Sequence, residues 1–360
     1  MKIAIILGTR PEIIKFSPII RQCIRLDLDF FIVHTGQHYS YNMDKIFFEQ
    51  LGLPEAKHNL DVGSGTHAEQ TGKMLIGIEK VLLEEKPHVV LVEGDTNTVL
   101  AGALAAAKLG IKVGHVEAGL RSYDRHMPEE INRILTDHCS DLLFAPTKNS
   151  KNTLLAEGVP KEEIFVTGNT IVDAVHQNLE IATHKGIKRR KLGIKPKNYF
   201  LVTIHRQESV DNVERFQGIL KGLEKVNERF AIPVIYPVHP RAKKRLKGFK
   251  LEAKGVKMIS PLDYLSFLYL ESNAELVLTD SGGVQEETCI LGVPCVTLRY
   301  NTERPETVEV GANVLAGADP DEIVKKTELM LNRKNRWKNP FGDGKAGKRI
   351  VQILVREIGE

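Results

Sequence analysis

Val89-Val90-Leu91-Val92-Glu93-Gly94-Asp95-Thr96 is four branched apolar residues that end abruptly in charge and glycine. A run this short and this apolar reads as a strand buried on both faces, the environment of a parallel sheet. The same ending recurs along the chain. Lys2–Leu7 runs into Gly8-Thr9-Arg10, Val113–Val116 into Glu117, Tyr199–Ile204 into His205-Arg206, Val234–Val238 into His239, and Leu276–Leu278 into Thr279-Asp280-Ser281-Gly282-Gly283. In parallel strands all these polar groups reach the carboxyl edge of a sheet, where open α/β folds bind their ligands. Two such sheets are expected, facing one site.

Outward from these runs, strand and helix alternate. Phe30–His34, Leu142–Ala145 and Ile164–Val166 read as further strands. Gln70–Lys86, Val99–Lys108 and Glu129–Cys139 read as helices, and Pro11 and Pro128 stand where helices begin. Alternation of this kind implies right-handed crossovers and a parallel sheet. Lys185–Lys197 breaks the pattern: it is basic, punctuated by Gly and Pro, and without apolar period. Beyond it the strands Tyr199–Ile204, Pro233–Val238, Val256–Ile259, Leu276–Leu278 and Pro294–Leu298 alternate with helices, and Asp319–Asn332 and Lys345–Ile358 read as helices too. The expected fold class is α/β: two Rossmann-like doubly wound domains, residues 1–180 and 198–344, with a cleft between them. A final helix at 345–360 is expected to pack back on the first domain.

Composition narrows the function. The 360 residues carry 50 basic and 46 acidic side chains, a formal surplus of +4. That suits an anionic substrate without demanding nucleic acid. The basic stretch at 185–197 has no interleaved aromatics for base stacking, so no nucleic-acid partner is expected there. The four cysteines, Cys23, Cys139, Cys289 and Cys295, form no CxxC pair, which fits free thiols in a reducing cytoplasm. No apolar stretch approaches the roughly 18 residues of a membrane span, and the amino terminus reads as a strand broken by Arg10 rather than a leader peptide. No HExxH, Cys/His cluster or DxDxDG loop indicates a metal; His34, His38 and His67 are dispersed.

The sharpest ligand signal is Ser281-Gly282-Gly283-Val284-Gln285-Glu286-Glu287. A strand ends, two glycines permit close backbone approach, and a helix opens with its free N–H groups and positive dipole end. The pattern is neither a Walker loop nor GxGxxG, so a diphosphate other than ATP or NAD is expected. The competing reading is a tight turn that needs glycine. Glu287, one turn in, is placed to accept from a ribose diol. Gly8-Thr9-Arg10-Pro11-Glu12-Ile13-Ile14-Lys15 gives a second helix start, with Arg10 and Lys15 as cations for phosphate. Asp95, Glu117, Glu129 and Glu130 form an acid group, although the last two also suit a helix start on dipole grounds alone. Converging carboxylates raise one another's proton affinity, an arrangement explained better by proton transfer than by stability. His205 and His239 occupy equivalent strand ends and are candidate acids or phosphate ligands. Arg304 and Glu306 either complete a nucleotide pocket or belong to a charged loop; spacing does not separate the two.

Taken together, GTRPEIIK (8–15), GDT (94–96), HVEAGLRS (115–122), MPEEINR (127–133), HRQES (205–209), DSGGVQEE (280–287) and NTERPE (301–306) resemble the non-hydrolysing UDP-N-acetylglucosamine 2-epimerases over nearly the whole chain. Gln207, Ser209 and Tyr300 depart from the family's usual residues and bear on substrate detail. The resemblance implies a two-domain fold of the GT-B type, a homodimer, and interconversion of UDP-GlcNAc and UDP-ManNAc with no redox cofactor. By motif matching it implies acid/base roles for Asp95, Glu117, Glu129 and His205. It implies substrate and UDP binding by Arg10, Lys15, Arg133, Ser281, Gly282, Gly283, Glu287 and Arg304, with Phe267 beside the uracil. Gln37, His38, Arg206, Glu208 and His239 resemble parts of a neighbouring activating site for UDP-GlcNAc, which makes self-activation a reading the resemblance allows.

The implied chemistry agrees with the residues read one by one. C2–H of the sugar has no adjacent carbonyl, so loss of UDP from C1 must make that proton removable, giving a glycal. Re-addition with a proton delivered to the opposite face inverts the centre. Leaving-group stabilisation and acid/base groups on both faces are required, within a closed cleft that traps glycal and UDP. Alternatives are a hydrolysing relative that releases ManNAc and UDP, a 2-epimerase for a diacetamido-uronic UDP-sugar, a glycosyltransferase that shares the fold, and a UDP-sugar-binding regulator without catalysis.

Overall fold

The computed structural model describes residues 1–37, 41–185, 194–333 and 337–359. His38 and most of the basic stretch at 185–197 lie outside the described residues. Contacts divide the chain into unit 1, Met1–Gln177 with Phe341–Glu360, and unit 2, Asn178–Pro340.

Unit 1 contains β1 (Lys2–Leu7), α1 (Arg10–Arg25), β2 (Asp29–His34), α2 (Tyr41–Leu51), β3 (His58–Asn59), α3 (His67–Glu85), β4 (Val89–Glu93), α4 (Asn97–Lys108), β5 (Lys112–Val116), α5 (Pro128–Cys139), β6 (Leu142–Ala145), α6 (Lys148–Ala156) and β7 (Ile164–Val166). The seven strands form one parallel sheet in the order β3-β2-β1-β4-β5-β6-β7. Ile3–Leu7 and Val89–Val92 are fully buried, as both-face burial of a parallel strand demands. Helix α7 (Thr170–His184) crosses the division between the units.

Unit 2 repeats the plan: β8 (Phe200–Thr203), α8 (Gln207–Val210), α9 (Val213–Phe230), β9 (Val234–Pro237), α10 (Pro240–Phe249), β10 (Val256–Ile259), α11 (Tyr264–Ser272), β11 (Leu276–Thr279), α12 (Gly282–Leu291), β12 (Cys295–Thr297), α13 (Pro305–Glu309), β13 (Asn313–Leu315) and α14 (Pro320–Asn332). Its parallel sheet runs β10-β9-β8-β11-β12-β13. In both units the first strand lies beside the fourth, with the second and third on its other side. That is the doubly wound order, and it reverses between β1 and β4 and between β8 and β11.

Where elements depart from the sequence reading, local chemistry explains it. Helix α3 starts at His67 rather than Gln70 because Thr66 and Glu69 form a capping box, each side chain reaching the other's backbone N–H, at 3.3 and 3.0 Å. Strand β13, which apolar runs did not reveal, is only three residues long and carries the polar Asn313, whose side chain receives the Thr297 hydroxyl at 2.8 Å. The four cysteines are free, and burial pushes the Cys23, Cys289 and Cys295 thiols up to about 12. Among the described residues no helix is long and apolar enough to cross a membrane.

The last helix, α15 (Ala346–Ile358), belongs to unit 1 and packs on α1. Ile350, Val351 and Leu354 are buried, and a Cβ added at Gly347 would come within 3.0 Å of Pro18. Its orphan N–H groups are met by the buried Asp173 carboxylate, which accepts from Ala346 at 3.1 Å and Gly347 at 3.0 Å. Asp173→Ala removes both acceptors from a buried helix start. The expected cost is about 1–3 kcal/mol, read as faster amide hydrogen exchange confined to α15 and its contacts with α1. Unchanged protection there would show that the cap carries no stability.

Candidate functional site

At the reversal point of unit 1, β1 and β4 end side by side, and the turn after β1 leads into α1. The amides just before that helix are already committed. Glu12 reaches back to accept from Gly8 N–H at 2.6 Å and Thr9 N–H at 3.0 Å, and takes the Thr96 hydroxyl at 2.5 Å. Glu12 is buried, and burial pushes its carboxyl up to about 7 against those hydrogen bonds. One turn along α1, the Lys15 ammonium lies 2.5 Å from Glu117 and 3.2 Å from Glu93. Both carboxyls are buried. Burial holds Glu93 well above the ordinary carboxyl range; Lys15 opposes this, and the charges of Glu117 and Glu12 add to it.

Glu117 sits just beyond β5 with φ of 73°, a left-handed conformation that is rare for a residue with a side chain. The local structure fixes it there. The N–H groups of Glu117 and Ala118 both donate to Phe144 O, Gly119 turns at φ 80° hard against Ser150 O, and Asn169 Nδ2 donates to Glu117 Oε2 at 3.2 Å. Asp95, two residues past β4, is paired with Arg133 at 2.5 Å, and Arg133 also holds Glu130 at 2.9 Å. Glu130 is buried and fastens the preceding loop by accepting from Ser122 and Tyr123 N–H, both at 2.9 Å. Glu129, in the first turn of α5, is half-buried and forms no ion pair among the described residues. Arg10 is held by the buried Asp44 at 3.3 Å and lies over Phe47.

Unit 2 has its own reversal point, where β8 and β11 end. Asp280, fully buried, accepts from His205 N–H at 3.0 Å and Arg206 N–H at 2.9 Å, and lies 3.4 Å from His205 Nδ1. Burial alone would raise this carboxyl; the hydrogen bond and charge of His205 and the Arg206 N–H hold it below its ordinary value. The His205 and His239 rings lie 5.4 Å apart. Helix α12 follows Ser281, whose N–H donates to the Thr279 hydroxyl at 2.9 Å and whose side chain makes no capping hydrogen bond. Neither Gly282 nor Gly283 has positive φ, and a Cβ at either would meet nothing closer than 3.5 Å. The fold itself therefore gives no reason for two glycines at this helix start.

Around α12, Arg304 pairs with Glu286 at 2.9 Å, and Arg206 with Glu303 at 2.9 Å. Arg299 binds Glu208 at 2.6 Å and Glu303 at 2.8 Å. Glu287 is buried, accepts from the Tyr264 hydroxyl at 3.1 Å, and contacts the fully buried Glu271; burial pushes Glu287 up to about 7 and Glu271 well above the carboxyl range. Phe267 lies half-buried on α11, against the unit 2 core. Gln37 belongs to unit 1, and its amide oxygen is taken up by Thr98 at 2.8 Å.

Of the residues picked from sequence, the structure gathers Lys15 with Glu117, Asp95 with Arg133, and His205 with His239, and it places Arg206 beside Gly282. Sequence reasoning missed Glu12, Glu93, Asp44, Asp280 and Glu271. Thr9-x-x-Glu12 is a capping-box spacing, and Glu93 ends its strand as Asp95 nearly does, so both carried a signal. Among the described residues no cluster of His, Cys, Asp or Glu is arranged to hold a metal.

Because burial raises Glu12, the fold favours its protonated form. That contribution is complete below the unfolded carboxyl's range near 4.5 and is lost as pH rises through about 7. Glu12→Gln keeps an acceptor and cannot ionise. It should lose less stability than the parent chain between about pH 5 and pH 8, by up to about 3 kcal/mol, in denaturant titrations at both pH values. Equal losses would show that Glu12 ionises freely.

A family model described as UDP-N-acetylglucosamine 2-epimerase matches residues 23–355. The chain is 62% identical to the UDP-N-acetylglucosamine 2-epimerase of Methanocaldococcus jannaschii, over 99% of both chains, and 57% identical to that of Methanococcus maripaludis, again over 99% of both. A UDP-2,3-diacetamido-2,3-dideoxy-D-glucuronate 2-epimerase of Pseudomonas aeruginosa is 44% identical, over 99% of this chain and 100% of its own. A crystal structure of the M. jannaschii UDP-GlcNAc 2-epimerase in complex with UDP-GlcNAc and UDP superposes with a TM-score of 0.89 at 62% identity, covering 99% of this chain and 100% of that one. With motifs, both sheet orders and full-length similarity in agreement, the chain belongs to the UDP-N-acetylglucosamine 2-epimerase family.

Proposed function

We propose that the chain interconverts UDP-GlcNAc and UDP-ManNAc by eliminating UDP to 2-acetamidoglucal and adding it back with inversion at C2. The observation that carries this reading is the buried ionisable group at the unit 1 reversal point, Glu12, Glu93 and Glu117 around Lys15, with Glu117 in a strained backbone conformation. Stability offers no reason to bury three carboxyls around one ammonium; proton exchange with a carbon acid does.

The proposed chemistry has two halves. In unit 1, Glu117 exchanges the proton at C2; its pairing with Lys15 and Asn169 favours the ionised form that accepts a proton. Asp95, Glu129 and His205 are the further acid/base candidates, and one of them must serve the opposite face of C2 for inversion to occur. Arg10 and Arg133 supply positive charge toward the substrate, while Lys15 serves Glu117. In unit 2, the α12 start binds the diphosphate. Its amides lack a side-chain cap, and its two glycines, for which packing gives no reason, leave room for phosphate oxygens. Arg304 adds charge there, Glu287 accepts from the ribose, and Phe267 lies against the base. Amide and guanidinium donors stabilise the leaving UDP as negative charge gathers on it.

The higher identity to UDP-GlcNAc epimerases than to the diacetamido-glucuronate enzyme favours the acetamido sugar. A homodimer and a cytoplasmic location complete the reading. Free buried thiols fit the second, and sedimentation of the purified chain tests the first.

Incubated with UDP-GlcNAc in heavy water, the chain should form UDP-ManNAc and place deuterium at C2, seen by proton NMR. Glu117→Gln should lower kcat by a factor on the order of 10²–10⁴, with UDP affinity retained. Free ManNAc would indicate the hydrolysing chemistry, and no exchange at C2 would overturn the proposal. Gly282→Val should weaken UDP binding at least about tenfold by calorimetry while leaving the fold intact; unaltered affinity would move the diphosphate away from α12.

A further inference from the structure

We propose that Glu93 is a positioning residue for Glu117: it remains a neutral, protonated carboxyl and so leaves the single ammonium of Lys15 to the catalytic carboxylate. The inference rests on the reading of Glu117 as the group that exchanges the C2 proton.

Three observations carry it. Glu93 is the last residue of β4 and pairs in register with Val116, one residue before Glu117, so the strand geometry brings the two carboxyls to the same point. Second, Lys15 is a cation shared by both, 2.5 Å from Glu117 and 3.2 Å from Glu93, and Glu93 is only 1% exposed. The groups facing Glu93 are Lys15 and Glu12 from α1 and Glu117 from beyond β5, with Asp95 acting on Glu12. Three ionised carboxylates around one ammonium, away from water, would leave uncompensated buried charge, so protons must be retained.

Third, the donor inventory decides where. Glu117 has Lys15 and Asn169; Glu12 has two backbone N–H groups and the Thr96 hydroxyl. Among the described residues Glu93 has the shared ammonium alone, at the longer distance, and its Oε1 forms no well-aligned hydrogen bond. The carboxyl with the poorest supply of donors gains least from ionising. Burial, which pushes Glu93 well above the ordinary range, points the same way. When Glu93 does lose its proton, at alkaline pH, a second buried anion competes for Lys15 and draws it from Glu117. Turnover then falls while substrate binding does not.

Glu93→Gln keeps the shape of the neutral acid and removes its titration. The test is the pH profile of kcat and KM from about pH 6 to about pH 10, together with the infrared difference spectrum, parent minus E93Q, at neutral pH. In the parent, kcat should fall about tenfold per pH unit on an alkaline limb that KM does not share. In E93Q that limb should recede, with kcat held within about threefold over the same range. The difference spectrum should show the C=O stretch of a protonated carboxyl. Superimposable profiles with no such band would overturn the proposal. An E93Q chain that does not fold would also overturn it, since a neutral Glu93 has in glutamine its nearest isostere. If the parent forms no UDP-ManNAc and exchanges no C2 proton, the epimerase reading fails, and the difference spectrum still decides whether Glu93 holds a proton.

Discussion

One ammonium among three buried carboxyls is the constraint on which unit 1 turns. Lys15 sits between Glu93 and Glu117 with Glu12 close by, and desolvation forbids all three from being charged together. The sheet order makes the encounter unavoidable. Glu12 and Lys15 enter the helix after β1, Glu93 ends β4, and Glu117 follows β5, three adjacent strands at the reversal point. A fold that only needed stability would fill this place with aliphatic side chains, as it does one residue earlier at Val92. The left-handed backbone at Glu117, fixed by Phe144 O and by the turn at Gly119, is a second cost at the same point. Strain and buried charge together mark a place where structure serves reactivity.

The two helix starts at the reversal points differ in which groups meet the backbone. Before α1 the Glu12 carboxyl reaches back to take the N–H groups of Gly8 and Thr9. Before α12 the Thr279 hydroxyl takes the Ser281 N–H, and Gly282 and Gly283 place no side chain over the amides that follow. The dipole and the amides then remain available to a phosphate. Asp280 anchors this second site from beneath by fixing the turn after β8 through His205 and Arg206.

The fold was largely legible because buried parallel strands are written as short apolar runs: β1, β4, β5 and β8 stood out at nearly their observed bounds. What escaped was short or polar. Two-residue β3 has no period to detect, and β13 carries an asparagine that pays its way only through a tertiary hydrogen bond to Thr297. In the candidate site, Asp95 and Glu117 were visible because polar residues after strands point to the carboxyl edge. Glu93 and Glu271 were harder to see because each ends an apolar run, where a carboxylate reads as the start of solvent. Whether such a residue turns in or out depends on the helix packed over it, as α1 is over Glu93. Neutral buried carboxyls are a tertiary property that composition does not carry.

Neutron diffraction from crystals grown near neutral pH in heavy water would locate these protons directly. The account predicts deuterium on a Glu93 oxygen, a fully deuterated ammonium on Lys15 directed at Glu117, and no deuterium on Glu117. A bare Glu93 beside a protonated Glu117 would contradict it.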